Sequence, residues 1–372
     1  MGPPADVTRP VTARSKFVLA AGGTGGHVFP AIAVAAALVA RGHSADDIWF
    51  IVDARPATAD AIRRAGFGYG VLPLERGMRR GDARGNAAVV WTTLRSTRLA
   101  RRMIAARDAR VVVGFGAYAT LPPVLAARLS RIPVVVHEQN AHPGVVNRVA
   151  VRLGASAAIS IPGTPLRGSV VTGNPVRPDI VGVERDPVAP PLVGIAGGSL
   201  GSGLLNEMAL GLHDLWRDRD DIAIEHVAGA RFREECQARV KVLPGDRLGY
   251  RLVGFEHDMA GLYARASVMI TRSGGSVAEL AAAGVPSILV PWSASAGDHQ
   301  SANARAFADA GASVTLTEAE CMPERVAREV DALLAEPGAL DRMSVAARSL
   351  ARPDAADAVA ALAEARVEVG LR

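Results

Sequence analysis

Two cysteines in 372 residues, Cys236 and Cys321, are too few and too far apart for a disulfide framework, and no CxxC or Cys/His spacing marks a zinc site. Both are read as inert core thiols. Aromatic residues make up only 4% of the chain, which leaves no stacking platform of the kind single-stranded nucleic acid requires. No apolar run approaches the ~18 residues of a transmembrane helix. Even "AIAVAAALVA", Ala31 to Ala40, is short and reads as a core helix. The opening residues are polar, with Pro3, Pro4 and Pro10 and no apolar signal core, so 1–15 is expected to be a disordered arm and the protein to stay in the cytoplasm. No lysine follows "GGSLGS", which is therefore not a P-loop, and "GGTGGH" does not fit the GxGxxG of dinucleotide folds, since Val28 stands where its third glycine would fall.

What is present describes a soluble globular protein: 49% hydrophobic and 21% charged, at a length that suits two cores better than one. The charge is uneven. Residues 1–180 carry 23 Lys+Arg against 10 Asp+Glu, net +13, whereas 181–372 carry 19 against 27, net −8. Within the basic half, Arg76 to Arg110 holds ten arginines and two acids around the apolar "AAVVWTTL". Three readings compete for it: a solvated helix face, a surface for anionic membrane or lipid phosphate, and nucleic acid, the last weakest because no aromatic platform or known nucleic-acid motif accompanies the arginines.

Short Val/Ile/Leu runs bounded by glycine or proline alternate with helical patterns, the signature of a parallel sheet covered on both faces. Strands are expected at Phe17–Ala21, Ile48–Val52, Val111–Phe115, Val134–His137 and Ala157–Ser160, then at Val193–Ala196, Ile222–Val227, Arg251–Val253, Val268–Thr271, Ser287–Val290 and Ser313–Leu316. Each set begins alike, with "AAGGTGGH" or "IAGGSLGS" following its first strand. The expectation is an α/β protein of two doubly wound parallel-sheet domains, 16–175 and 192–352, facing a cleft. A proline-rich linker over 176–191 would join them, and a final alanine-rich helix over 353–372 would pack on either.

In such sheets ligands bind beyond the carboxyl ends of the strands, where helix N-termini offer free N–H groups. "GGTGGH", "GFGAYA", "HEQN", "GGSLG" and "TRSGGSVAEL" all follow strand ends. "GGSLG" is the better phosphate candidate, with Ser199 adding a hydroxyl at a helix start. Glu279, early in the next helix, suits the two hydroxyls of a ribose or is simply a carboxylate favoured by the helix dipole. His27 follows a glycine loop and begins a helix, a setting that keeps imidazole neutral and able to accept a proton. His43, His213 and His226 lack such settings and are read as structural. Asp53, ending a strand, would mimic the acid that holds an adenine-side ribose, which keeps a dinucleotide-dependent oxidoreductase open as a rival.

The ordered set "GGTGGHVFP", "HEQNAHPGVVNR", "GNPVR", "GGSLG", "RSGG…AELAAAGVP" and "DHQSANA" closely resembles the MurG family, the N-acetylglucosaminyltransferases of peptidoglycan synthesis, from about Lys16 to about Ala351. The resemblance implies a GT-B fold of two Rossmann-like domains, the UDP-sugar mainly in the second and the lipid acceptor mainly in the first. It implies inverting transfer of N-acetylglucosamine from UDP-N-acetylglucosamine to the 4-hydroxyl of the N-acetylmuramoyl-pentapeptide of lipid I, forming lipid II.

By the same resemblance His27 is the base candidate, Ser199 and its glycines face the diphosphate, and Arg177 lies in the nucleotide site. Glu279 holds the ribose, and the backbone near Phe255 and Glu256 reads the uracil. Thr24, Gly25, Gly26, Asn140 and Gln300 complete the donor site, with His299 beside the sugar, while Glu138 and Tyr118 shape the acceptor side. The family's usual glutamine after the serine is Leu200 here, and the loop before Glu279 is one residue short, which loosens the match of Gly275 and Ser276 to donor contacts. Glu256 stands where an apolar residue is frequent. No cofactor and no dedicated metal cluster is implied. The partners implied are UDP-N-acetylglucosamine, lipid I and, through 76–110, the anionic cytoplasmic face of the cell membrane; no nucleic acid is among them. The rivals are another UDP-N-acetylglucosamine-using GT-B enzyme, such as a glycolipid transferase or 2-epimerase, the oxidoreductase, and a non-catalytic membrane scaffold that binds a nucleotide.

Overall fold

A computed structural model of the chain describes residues 16–74, 83–240, 243–295 and 298–369. The expected arm 1–15 and the start of the basic segment, Arg76 to Asp82, lie outside the described residues. The chain forms two compact units: one takes in residues up to Arg177 and again from Asp354, the other is Pro178–Pro353.

Among the described residues the first unit is built on seven strands: β1 (Phe17–Ala20), β2 (Ile48–Val52), β3 (Gly68–Val71), β4 (Val111–Gly114), β5 (Val134–Glu138), β6 (Ser156–Ile159) and β7 (Val170–Val171). They lie in the order β3-β2-β1-β4-β5-β6-β7, every pair parallel. The second unit has β8 (Leu192–Ala196), β9 (Ala223–Val227), β10 (Gly249–Val253), β11 (Val268–Thr271), β12 (Ser287–Leu289) and β13 (Ser313–Thr315), in the order β10-β9-β8-β11-β12-β13, again all parallel. Both orders are doubly wound, with the direction of winding reversing between the first and fourth strands of each sheet. The central strands are continuous apolar runs because helices cover both of their faces.

Two strands have no counterpart among those expected. In β3, "GYGV", the glycines look like a turn, yet a Cβ on Gly68 would lie 2.4 Å from the Trp49 ring and one on Gly70 3.1 Å from Met103 Sδ. These glycines make room for large side chains of neighbouring elements. β7 is only two exposed valines, too short to give a period.

The helices that matter to the site are α1 (Gly25–Ala40), α2 (Ala83–Ala106), α3 (Gly203–Leu215), α4 (Ser276–Ala283), α5 (His299–Asp309) and α6 (Ala355–Val369). The last returns to the first unit, where Val359, Ala360 and Ala363 join the core made by α1 and the buried faces of β1, β2 and β4. Arg41 binds Asp357 at 2.8 Å and Glu364 at 2.7 Å, and His43 meets Glu364 at 2.8 Å.

The stretch expected as a linker is fixed to the second unit from Pro178 onward. Pro178–Val181 forms a helical turn with Ile180 fully buried. The amides of Asp186 and Val188 bond the carbonyls of Ala264 and Arg265, and the Arg185 guanidinium donates to the Tyr263 and Ala266 carbonyls at 3.1 and 2.9 Å. Arginine thus satisfies carbonyls that the end of the helix Met259–Arg265 leaves without intrahelical partners.

Candidate active site

In the first unit the expected residues gather where the winding reverses. β1 ends in a turn at Gly22 and Gly23, the latter at φ +89°, and α1 begins at Gly25. The turn is held by a residue expected to meet a ligand instead. Asp53 is 2% exposed and its Oδ2 accepts from the Gly23 amide at 2.7 Å, while Arg55 donates to the Gly23 carbonyl. A Cβ on Gly22 would lie 2.8 Å from Asp53 Oδ2. Asp53 is therefore occupied by the protein's own backbone, which removes the main support for a dinucleotide ribose site.

His27 is the third residue of α1, with Nδ1 3.3 Å from Thr24 Oγ1. Its ring lies against the second turn of the switch point: a Cβ on Gly116, at φ +81°, would stand 3.3 Å from ring Cδ2. Burial pushes the His27 pKa below the ordinary histidine range, Glu138 opposes, and Arg55 lowers it further. The helix N-terminus acts in the same direction as burial. Both effects favour the neutral imidazole, and the residue is half-exposed, as a proton acceptor must be. Gly25 is likewise half-exposed and Gly26 exposed.

"HEQN" is organised inward. Glu138 is 2% exposed: Oε1 accepts from the Asn140 amide and Nδ2 at 3.0 and 3.1 Å, and Oε2 from the Gly144 amide and Asn147 Nδ2 at 2.9 and 2.8 Å. Gln139 Nε2 donates to the Phe115 carbonyl at 3.1 Å, and His137, fully buried and pushed by burial to about 4, meets the Gly173 carbonyl. Glu138 and Asn140 thus shape loop 139–144, with Asn147 of the helix Val145–Arg152 that follows, absent from the sequence expectations, as their anchor. Tyr118 turns its hydroxyl to Thr93 of α2. Arg177 lies with the first unit, its guanidinium 4.7 Å from the Phe29 ring of α1, not with the unit expected to hold the nucleotide.

In the second unit the loop 197–202 follows β8 and leads into α3. A Cβ on Gly197 would lie 2.3 Å from the Ser202 amide, and one on Gly201, at φ +71°, 2.2 Å from the Ala228 carbonyl, so these two positions tolerate glycine alone. Ser199 is exposed within the loop; the helix cap is Ser202, whose Oγ accepts from the Leu205 amide and from Arg272 Nε. The expectation of Ser199 at the helix start is corrected by three residues.

After β11, Arg272 also binds the Val290 carbonyl at 3.2 Å and Glu318 at 2.8 Å. Ser273 Oγ donates to the Gln300 carbonyl, Asn303 Nδ2 to the Ser273 carbonyl, and Gln300 Oε1 accepts from the Trp292 amide. These bonds fix the start of α5, including half-exposed His299 and Gln300, against the turn before α4. Gly275 is exposed there, and Ser276 Oγ is turned back to the Arg272 carbonyl. Glu279 is half-exposed in the first turns of α4, its Oε2 accepting from the buried Tyr263 hydroxyl at 2.9 Å. Tyr263 was missed; its signal was a rare tyrosine in the apolar run before β11. Arg251 joins Glu256 at 2.9 Å, and the Asp258 amide donates to Glu256, so its side chain braces its own loop while Phe255 is 38% exposed.

Residues 17–159 match the glycosyltransferase family 28 N-terminal domain and 192–359 its C-terminal domain. The UDP-N-acetylglucosamine–N-acetylmuramyl-(pentapeptide) pyrophosphoryl-undecaprenol N-acetylglucosamine transferase of Alkalilimnicola ehrlichii is 38% identical over 94% of this chain and 99% of its own. That of Solibacter usitatus is 37% identical over 96% and 97%. Among solved structures, Acinetobacter baumannii MurG aligns with TM-score 0.68 at 29% identity, covering 94% and 99% of the two chains. A UDP-N-acetylglucosamine 2-epimerase aligns at 0.67 with 16% identity over 97% of each, a likeness of fold alone.

Proposed function

The chain belongs to glycosyltransferase family 28 in both of its domains, and on that footing we propose that it transfers N-acetylglucosamine from UDP-N-acetylglucosamine to the 4-hydroxyl of lipid I, with inversion, forming lipid II. The observation that carries the chemistry is the place of the His27 imidazole, third in its helix and set between the two turns of the switch point, where burial favours its neutral form. As the acceptor oxygen bonds to the anomeric carbon, the bond to UDP breaks and its electron pair leaves with the diphosphate. With Nδ1–H donated to Thr24, His27 Nε2 takes the acceptor proton, a step worth ~10²–10⁴-fold.

The departing diphosphate is received by the amides of the 197–202 turn and the α3 N-terminus, with the Ser199 hydroxyl beside them. Glu279, oriented by Tyr263, accepts from the ribose hydroxyls, and the backbone at Phe255 and Glu256 reads the uracil. Gln300 and His299 serve the sugar hydroxyls, Gly275 and Ser276 flank them through backbone, and Thr24, Gly25, Gly26 and Asn140 complete the donor contacts. Arg177 supports the Phe29 face of α1. Glu138 and Tyr118 set the loops of the acceptor side.

The reading extends to the membrane surface. Among the described residues no helix is long and apolar enough to cross a bilayer. On α2, Val90, Trp91 and Leu94 are exposed, Trp91 at 67%, and Arg95, Arg98, Arg101 and Arg102 continue the exposed face. An amphipathic ring on apolar surface followed by cations suits the interface of an anionic leaflet, here the cytoplasmic one that carries the lipid acceptor. Incubation with UDP-N-acetylglucosamine and a short-chain lipid I analogue tests the activity: stoichiometric UDP and disaccharide support it, and the absence of both overturns it.

A further inference from the structure

We infer that Asp53 and Arg55 are positioning residues for the reaction, forming a two-sided clamp on the Gly23 peptide that sets the place of His27. The inference rests on the reading of His27 as the base. Its geometry begins in the sheet register. Phe17 pairs with Ile48 and Ala20 with Ile51, so the chain beyond β2 runs beside the turn beyond β1. From there Asp53 Oδ2 accepts from the Gly23 amide at 2.7 Å, and Arg55 donates to the carbonyl of the same residue. The two clamp residues are tied together, since Asp53 Oδ1 accepts from the Arg55 amide at 3.2 Å and Arg55 Nε lies 3.5 Å from Oδ2.

The clamped peptide is one residue from Thr24, and Thr24 governs His27 twice. Its carbonyl accepts from the His27 amide at 3.0 Å, and its hydroxyl lies 3.3 Å from Nδ1. Gly23 has a left-handed φ of +89° and no side chain with which to hold itself, so both polar groups of its backbone need partners from outside the turn. Asp53 is 2% exposed, which makes an unpartnered amide there costly if the carboxylate is removed.

Arg55 adds an electrostatic effect. The groups acting on His27 are Arg55 from the loop after β2, Glu138 and His137 from β5, and Thr24 from its own turn. Glu138 favours the imidazolium and Arg55 disfavours it. With Glu138 engaged by four donors, the partly exposed Arg55 guanidinium, 45% accessible, is the charge that substitution removes with least disturbance to the loops. The clamp thus holds the turn that places His27 and, through Arg55, favours its neutral form.

The test uses the full-length protein and four variants: Asp53→Asn, Asp53→Ala, Arg55→Gln and Arg55→Lys. Histidine-labelled protein is titrated by NMR without substrate, the His27 ring signal being identified by its loss in His27→Gln. The pH dependence of kcat/KM and the separate kcat and KM for UDP-N-acetylglucosamine are then measured with the short-chain acceptor. Arg55→Gln is expected to raise the His27 midpoint and move the acid limb of kcat/KM to higher pH, with Arg55→Lys returning both toward wild type. Asp53→Ala is expected to lower kcat by about 10- to 100-fold with KM for the donor little changed, and Asp53→Asn to recover only part of it, because its one amide oxygen can accept the Gly23 amide proton only with its NH2 turned toward the Arg55 amide. An unchanged His27 midpoint in folded Arg55→Gln overturns the proposal, as does wild-type kcat in folded Asp53→Ala. Should Asp53→Ala fail to fold, Arg55→Gln decides. An inactive wild type would sink the transferase reading while leaving the substrate-free titration to judge the clamp.

Discussion

Glu138→Gln should destabilise the first unit while leaving nucleotide binding intact. The carboxylate is an acceptor for four N–H groups, two on each oxygen, and donates nothing. Glutamine keeps the shape but turns one oxygen into an NH₂. Whichever way the amide faces, two of these four donors then meet another donor, and the remaining two lose the help of the negative charge. Hydrogen bonds to a charged group are each worth about 1.5–3 kcal/mol, so two lost outright would total about 3–6 kcal/mol. Asn140 is half-exposed and its donors regain water when the loop shifts, which favours the lower end, about 3 kcal/mol. For a unit of this size the unfolding entropy is about 0.4 kcal/mol/K, so its transition should fall by about 7 °C. Differential scanning calorimetry reads the shift, and titration with UDP reads the other unit. A first-unit transition within 2 °C of wild type would refute the view that Glu138 is the organiser of its loop.

His27→Ala should lower turnover by ~10²–10⁴-fold with UDP affinity unchanged, as steady-state kinetics and calorimetric titration would show; wild-type turnover removes it as base. Glu279→Ala should weaken UDP binding by about 1–3 kcal/mol, and Tyr263→Phe should do so less, because it only loosens one carboxylate oxygen; equal affinity in Glu279→Ala counts against the ribose contact. Stability should fall in acid through His137 and His226, both held by burial near a pKa of about 4. Above about pH 6.5 both are neutral folded and unfolded, and between about 6.5 and 4 only the unfolded chain takes up the protons. Each then removes up to about 3 kcal/mol, a loss complete below pH 4 and measurable by urea unfolding across that range. Neutralising Arg98, Arg101 and Arg102 should weaken binding to vesicles rich in anionic lipid by about 1 kcal/mol per residue, and wild-type binding should weaken with salt; salt-independent flotation of wild type would contradict the membrane face.

The residues at the strand ends were legible because a doubly wound sheet leaves few places for glycine pairs followed by His or Glu, and period and punctuation survive in one dimension. What those residues do to one another was not. Asp53 could be recognised as an acid ending a strand, but whether it faced a ligand or its own neighbour depends on the register of β1 against β2, which no local pattern states. Glu138 looked like a functional carboxylate, and only the return of the chain to Gly144 and Asn147 shows its oxygens spent on the loop. β3 was hidden because glycines that accommodate Trp49 and Met103 resemble a turn. The host of α6 was open because an alanine-rich helix carries almost no partner information, and its answer lies in Arg41 and His43, more than 300 residues away.

That last helix has a bearing on how the protein is made. The apolar face of α1 with Val34 and Leu38 is finished by Val359, Ala360 and Ala363, and the whole unit 178–353 is synthesised in between. At about 5–20 residues per second, roughly ten to thirty-five seconds pass during which the first unit has its sheet but not its full core. Throughout that interval the uncovered side of α1 is apolar surface for chaperones to guard or for neighbouring nascent chains to meet. The unit translated first is thus the last to be completed, and a ribosome stalled anywhere in the second unit leaves the first one open.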